Sequence, residues 1–211
     1  MNKNKIYKTD QENFWAGEFG NRYIKRNLRN EIIINNIVLF SKIFSKIGIP
    51  KDIMEFGPNI GLNLVAIKTL SPNTKFNGVE INKTAAKELE KLKYVKVYNQ
   101  SLLDFRVKKK HDLCFTCGVL IHLDPSVLNK AYDVLYRHSN KYILLIEYYN
   151  PTPAEVSYRG HQHRLFKRDF AGEILDKYKS KVKLIDYGFV YHKDSFPQDD
   201  ITWFLLEKIR K

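Results

Sequence analysis

Hydrophobic positions along the chain follow two periods. From about residue 50 onward, short apolar bursts alternate with stretches whose apolar residues recur at helical spacing. The bursts at 52–56, 75–81, 95–98, 112–117 and 142–148 predict strands; 62–70, 83–92 and 126–138 predict the helices between them. Strand–helix alternation of this kind predicts an α/β fold, a parallel sheet covered by helices on both faces. Upstream, 11–47 reads as helical, and Gly48-Ile49-Pro50 stops it. Downstream the pattern changes. Asn150-Pro151-Thr152-Pro153 predicts a loop, 154–164 an irregular stretch, and 166–179 a helix. Two late strands, 182–189 and 201–209, predict an antiparallel pair at one sheet edge. There is no internal repeat and no splitting linker. The organisation expected is an N-terminal helical cap over 1–48 and one compact unit over 49–211.

Composition narrows the classes. With 211 residues, 44% of them hydrophobic, the chain can bury one sizeable core. No run reaches the ~18 apolar residues of a membrane span. The charged start, Met1-Asn2-Lys3-Asn4-Lys5, is not followed by a signal-peptide core, so the cytoplasm is expected. Cys114 and Cys117 form a C-x-x-C, but they lie in the apolar run Leu113 to Leu123. Nothing there activates a thiolate, and two further zinc ligands at a suitable spacing are missing, so no metal is expected. The net charge of +13 implies anionic partners or a lysine-rich solvated surface.

Candidate chemistry concentrates at the strand ends. The first strand runs into Gly57-Pro58-Asn59-Ile60-Gly61 and then a helix, the layout of nucleotide-binding α/β folds. Gly57 permits the sharp turn, and Gly61 is expected to let the helix N-terminus approach a ligand. Asn59 stands where such loops often carry a glycine, and asparagine tolerates left-handed backbone angles. The loop lacks the G-x-G-x-x-G of dinucleotide binders. Glu55, two positions before Gly57, would repel a pyrophosphate and suits a ligand carrying ammonium and sulfonium groups. Glu80, with Ile81 after it, ends the next strand, where a carboxylate can accept ribose hydroxyls. Ser101 and Leu102 follow the third strand and offer an edge and a face to an adenine ring. Cys117 and Gly118 end the fourth strand, and ligands of such sheets sit outside those carboxyl ends.

In this order, E-x-G-x-x-x-G, strand-end Glu80, Ser101 and then D-L-x-x-x-x-G-V-L-x-H-L, the chain resembles the class I S-adenosylmethionine-dependent methyltransferases over roughly residues 50–148. The resemblance implies a Rossmann-like, seven-stranded, mostly parallel sheet in the order 3-2-1-4-5-7-6 with its last strand antiparallel. It also implies S-adenosylmethionine as cofactor. Tyr23 and Arg26 would close over the donor from the N-terminal helices, Arg26 pairing with the methionine carboxylate.

Other segments carry a narrower likeness. They are 18–27, 147–153, Tyr158-Arg159-Gly160-His161, 165–172, 186–189 and 196–204. Together they resemble the pseudaminic acid biosynthesis-associated methylases, which implies a small anionic, sugar-related acceptor such as a nonulosonic acid or a nucleotide sugar. Arg159, Lys167 and Arg168 offer charge to such an anion. Glu147, Tyr149, Asn150 and Tyr158 complete the expected acceptor side. A hydroxyl nucleophile benefits from a base near neutral pKa, which favours histidine: His161 first, then His122 and His163. Two other readings stand beside this one. An RNA or DNA methyltransferase fits the charge, though no added nucleic-acid module is evident. A non-catalytic donor-binding partner subunit fits the fold. Oligomeric state is not legible.

Overall fold

The computed structural model describes residues 7–26 and 30–209, and the side chains of these apart from 25, 26 and 30. Its strands are β1 (Asp52–Phe56), β2 (Lys75–Glu80), β3 (Val95–Asn99), β4 (His111–Cys117), β5 (Ser139–Glu147), β6 (Ala154–Tyr158), β7 (His161–Lys167), β8 (Val182–Val190) and β9 (Ile201–Lys208). Its helices are α1 (Asp10–Ala16), α2 (Glu18–Arg26), α3 (Asn30–Phe44), α4 (Leu62–Leu70), α5 (Lys83–Glu90), α6 (Leu128–His138) and α7 (Phe170–Tyr178). Seven strands form one sheet in the order β3-β2-β1-β4-β5-β9-β8, and β6 and β7 pair separately. The first five are parallel, whereas β9 runs antiparallel to both β5 and β8. With the separate hairpin set aside, this is the expected 3-2-1-4-5-7-6 order with its last strand reversed.

The central strands are apolar because both faces are covered. Side chains alternate between two cores. Met54, Phe56, Cys114, Ile143 and Leu145 pack under α6 and α7. Ile53, Leu113, Phe115, Leu144 and Ile146 pack with Phe40, Ile43 and Phe44 of α3 and Leu64 and Ile67 of α4. Helix α6 buries Leu128, Ala131, Tyr132, Leu135 and His138, spaced three or four apart along one stripe. The alternation also sends Cys114 and Cys117 to opposite faces as free thiols.

Three expectations change. The helical region before β1 is three helices, and its first begins with a capping box: Thr9 accepts from Glu12 N, and Glu12 reaches back to Thr9 N. The stretch 154–164 is not irregular; it belongs to the β6–β7 hairpin, which turns through Arg159 and Gly160 at φ 52° and 82°. The following helix therefore starts at Phe170, capped by Asp169, because the residues up to Lys167 are spent in β7. Among the described residues, no helix is long and apolar enough to cross a membrane.

Candidate functional site

A cavity of about 530 Å³ opens at the carboxyl ends of β1, β2 and β4, with α1 and α2 across it and α3 and the β8–β9 loop along one side. The loop after β1 supplies its floor. Asn59 adopts φ 51°, so the left-handed turn forms without a glycine there. Its N–H donates to Glu80 Oε2 at 2.8 Å. Glu80 Oε1 accepts from Asn82 N at 2.7 Å. Each carboxylate oxygen is thus fixed by a backbone donor, and a carboxylate has about four acceptor sites in all. Burial pushes the Glu80 pKa up, and the backbone amides of Asn82, Asn59 and Ile81 pull against that.

The second strand's exit also ties down the helices above. Asn82 caps α5 by accepting from Ala85 N, and its amide donates to Trp15 O and Asn21 Oδ1, both at 3.0 Å. Ser101 donates to Glu12 of α1 and accepts from Leu103 N. Lys8 pairs with Asp104. Glu12, Trp15 and Asn82 therefore line the cavity as products of α1 docking onto the loops after β2 and β3.

Beneath the loop, Glu55 is 0% exposed. Asn63 Nδ2 donates to its Oε1 at 2.7 Å, while Oε2 is buried without a hydrogen-bond partner. Burial raises its pKa to about 8. Glu147, on the opposite face of the sheet, accepts from the N–H groups of Val119, Leu120 and Ile121 at 3.1–3.3 Å. Burial lifts it to about 7 against those donors. It holds the turn after β4 that carries His122.

His122 is 8% exposed and lines the cavity. Its Nδ1 lies 2.5 Å from Arg164 O. A carbonyl only accepts, so Nδ1 carries the hydrogen and Nε2 keeps its lone pair. Burial lowers this imidazole to about 4, so it is neutral at ordinary pH. The rings of Trp15 and Tyr158 stand 4.6 and 4.8 Å from it, centroid to centroid.

The expected residues divide accordingly. Tyr23, Gly57, Asn59, Glu80, Ile81, Ser101, Leu102, Cys117, Gly118 and His122 line the cavity. Glu55 and Glu147 lie behind its wall. Gly61 is not among the lining residues; a Cβ there would meet Leu89 Cδ1 at 2.5 Å and its φ is 88°, so helix packing and backbone angle both require the glycine. The Arg26 side chain lies outside the described residues.

The residues expected on the acceptor side stand off the cavity wall. His161 sits against the rings of Phe14 and Phe19, 5.0 and 5.4 Å away. His163 pairs with Glu155 at 2.9 Å on the exposed hairpin. Arg159 lies over the Tyr158 ring at the hairpin turn. Lys167 lies over the Tyr148 ring. Arg168 pairs with Glu173 at 2.7 Å. Asn150 bonds within its own loop to Thr152 O, and Tyr149 packs on Phe204. Residues to which no motif assigns a role take their place: Asn35, Asn36 and Asn63, with Pro197, Gln198 and Asp199 of the 196–204 segment. Only the Thr9-x-x-Glu12 capping pattern carried a local signal for any missed lining residue. Among the described residues, no group of three or more His, Cys, Asp or Glu could hold a metal ion.

No family model matches the chain, and no curated protein matches it by sequence. Solved structures do match by fold. The plantazolicin methyltransferase BpumL, in complex with SAH, superposes with a TM-score of 0.67 at 14% identity, covering 95% of this chain and 94% of its own. The magnesium protoporphyrin IX methyltransferase ChlM from Synechocystis PCC 6803, with bound SAM, gives 0.69 at 12%, covering 97% and 100%. The 1,6-didemethyltoxoflavin-N1-methyltransferase of Burkholderia thailandensis gives 0.68 at 10%, covering 95% and 87%. At these identities the shared property is the fold: the chain has the architecture of class I methyltransferases over nearly its whole length.

Proposed function

We propose that this chain is an S-adenosylmethionine-dependent methyltransferase acting on a small molecule. The observation that carries the reading is the doubly anchored Glu80 at the end of β2, facing a cavity large enough for donor and acceptor together. The cavity's chemistry fits the donor. Glu80 accepts the ribose hydroxyls, and Leu102 offers a face to adenine. Glu55, with a buried oxygen lacking any partner, is a carboxyl raised by burial that a cationic ligand end above it would draw toward its charged form. Structural neighbours crystallised with SAM or SAH support the same reading.

When bound, the donor supplies an electrophilic methyl group on a sulfonium. The protein's part is to position the nucleophile in line with it, which removes much of the entropic barrier. His122 Nε2 then takes the proton that the nucleophile sheds. A neutral imidazole suits this place, because an imidazolium would repel the sulfonium. His161 and His163, off the cavity wall, are set below His122 as bases. In this reading the cap expected over 1–48 is supplied by α1 and α2 closing over the donor, while α3 is built into the core.

A sugar-related acceptor with an anionic group is the finer form of the proposal. It draws on the sequence resemblance and on the cations that follow β5. Lys167 stands over Tyr148, whose hydroxyl donates to the cavity-lining Asp199, so an anion would be held at the rim. A nucleic-acid acceptor has less support, since Glu12, Glu80 and Asp199 on the wall oppose a phosphate backbone. The test is formation of S-adenosylhomocysteine from S-adenosylmethionine across sugar nucleotides, nonulosonic acids and RNA. Turnover with none would leave a donor-binding subunit instead.

A further inference from the structure

The cavity wall away from Glu80 is built by α3, α4 and the β8–β9 loop, and its hydrogen bonds have a direction. Asn35 Nδ2 donates to Pro197 O at 2.8 Å. Gln198 Nε2 donates to Asn36 Oδ1 at 2.9 Å, and Asn36 Nδ2 to Asn63 Oδ1 at 2.8 Å. Asn63 Nδ2 completes the chain at Glu55 Oε1. Beside it, the Tyr148 hydroxyl donates to Asp199 Oδ2. Each bond turns an amide nitrogen or hydroxyl toward protein.

An amide carries its oxygen on the other fork from its nitrogen. Asn35 Oδ1, Gln198 Oε1 and Asp199 Oδ1 are therefore left as side-chain oxygens with no protein donor among the described residues, and all three residues line the cavity. Its charged side chains there are Glu12, Glu80 and Asp199; among the described residues it carries no lysine or arginine. An oxygen-rich, acidic wall pairs with N–H and O–H groups and repels carboxylates and phosphates.

The geometry points to an acceptor whose reacting end is rich in hydrogen-bond donors and free of negative charge, an amine or polyhydroxyl group, held by Asn35, Gln198 and Asp199. This rests on the donor-binding reading of the same cavity and specifies its other half. An anionic group of the acceptor then has to lie outside the cavity, farther from the reacting end than a single sugar ring reaches. Asn36 and Asn63 are positioning residues: they hold the loop oxygens in register with Glu55.

The test is calorimetry on the full chain, first with S-adenosylhomocysteine and then, with that ligand saturating, with one sugar ring in four forms. The forms are glucosamine, glucose, glucuronate and glucose 1-phosphate. Absence of S-adenosylhomocysteine binding removes the donor reading itself; binding with the wrong ring order removes only this inference. The expected order is glucosamine, then glucose, with the two anions at least about tenfold weaker than glucosamine. Asp199→Asn should bring glucosamine to the level of glucose. Equal or tighter binding of either anion, or no binding by any of the four, overturns the inference.

Discussion

Three buried titratable side chains, Glu55, Glu147 and His122, tie the site's chemistry to the stability of the fold. Glu55 is raised to about 8 and Glu147 to about 7, with burial the leading cause in each. A carboxyl whose folded pKa exceeds its unfolded value stabilises fully below the unfolded pKa and loses that contribution as pH rises through the folded one. The ligand-free protein should therefore lose stability from about pH 4.5 to 8 through these two groups. Glu55→Gln, which stays neutral, should flatten the upper part of that loss; thermal melts of both proteins at pH 6 and pH 9 check it. A wild-type-like slope in the variant would place the titration elsewhere. His122 works in the opposite sense. Lowered to about 4 by burial, it penalises the fold only as pH drops from the ordinary imidazole range toward that value. As the base, it should leave turnover flat from pH 6 to 8. His122→Ala should cost roughly 10²–10⁴-fold in kcat with S-adenosylhomocysteine affinity retained. An inflection near about pH 6.5, the ordinary imidazole range, would contradict the assignment.

At the scale of elements, the strands and helices between β1 and β5 were legible because period and burial agree there. Strands covered on both faces must be apolar throughout, and their connecting helices must be amphipathic, so the sequence carries both signals. The Glu55–Gly61 loop and Glu80 were legible for a related reason: a tight turn and a strand-end acid are local features. The hairpin was not. Residues 154–164 are largely exposed, so no buried face imposes alternation on them. The acceptor-side wall was illegible for a different reason. Asn35, Asn63 and Gln198 come from three separate segments, and although 196–204 carries part of a resemblance, no local pattern gives the three a shared role; only the packing of α3 against α4 and the β8–β9 loop brings them together. That packing can be tested by itself. Phe40 is fully buried against Phe115, ring centroids 5.6 Å apart. Phe40→Ala should destabilise the protein by about 3–5 kcal/mol in denaturant unfolding. A loss under about 1 kcal/mol would mean that α3 is not part of the core.

Across the whole molecule, charge and chemistry are separated. The chain carries a net +13, yet the charged side chains described on its cavity wall are acidic. Among the described residues the lysines and arginines lie outside it, where they can attract anions without entering the site. The acid-lined interior suits a cationic donor, and that is the central claim. Calorimetric titration of S-adenosylmethionine into wild type and Glu80→Ala tests it most directly. One site is expected in the wild type. The variant should bind about 10- to 100-fold more weakly, the cost of losing hydrogen bonds to a charged acceptor. No binding to the wild type, or equal binding to both proteins, would contradict it.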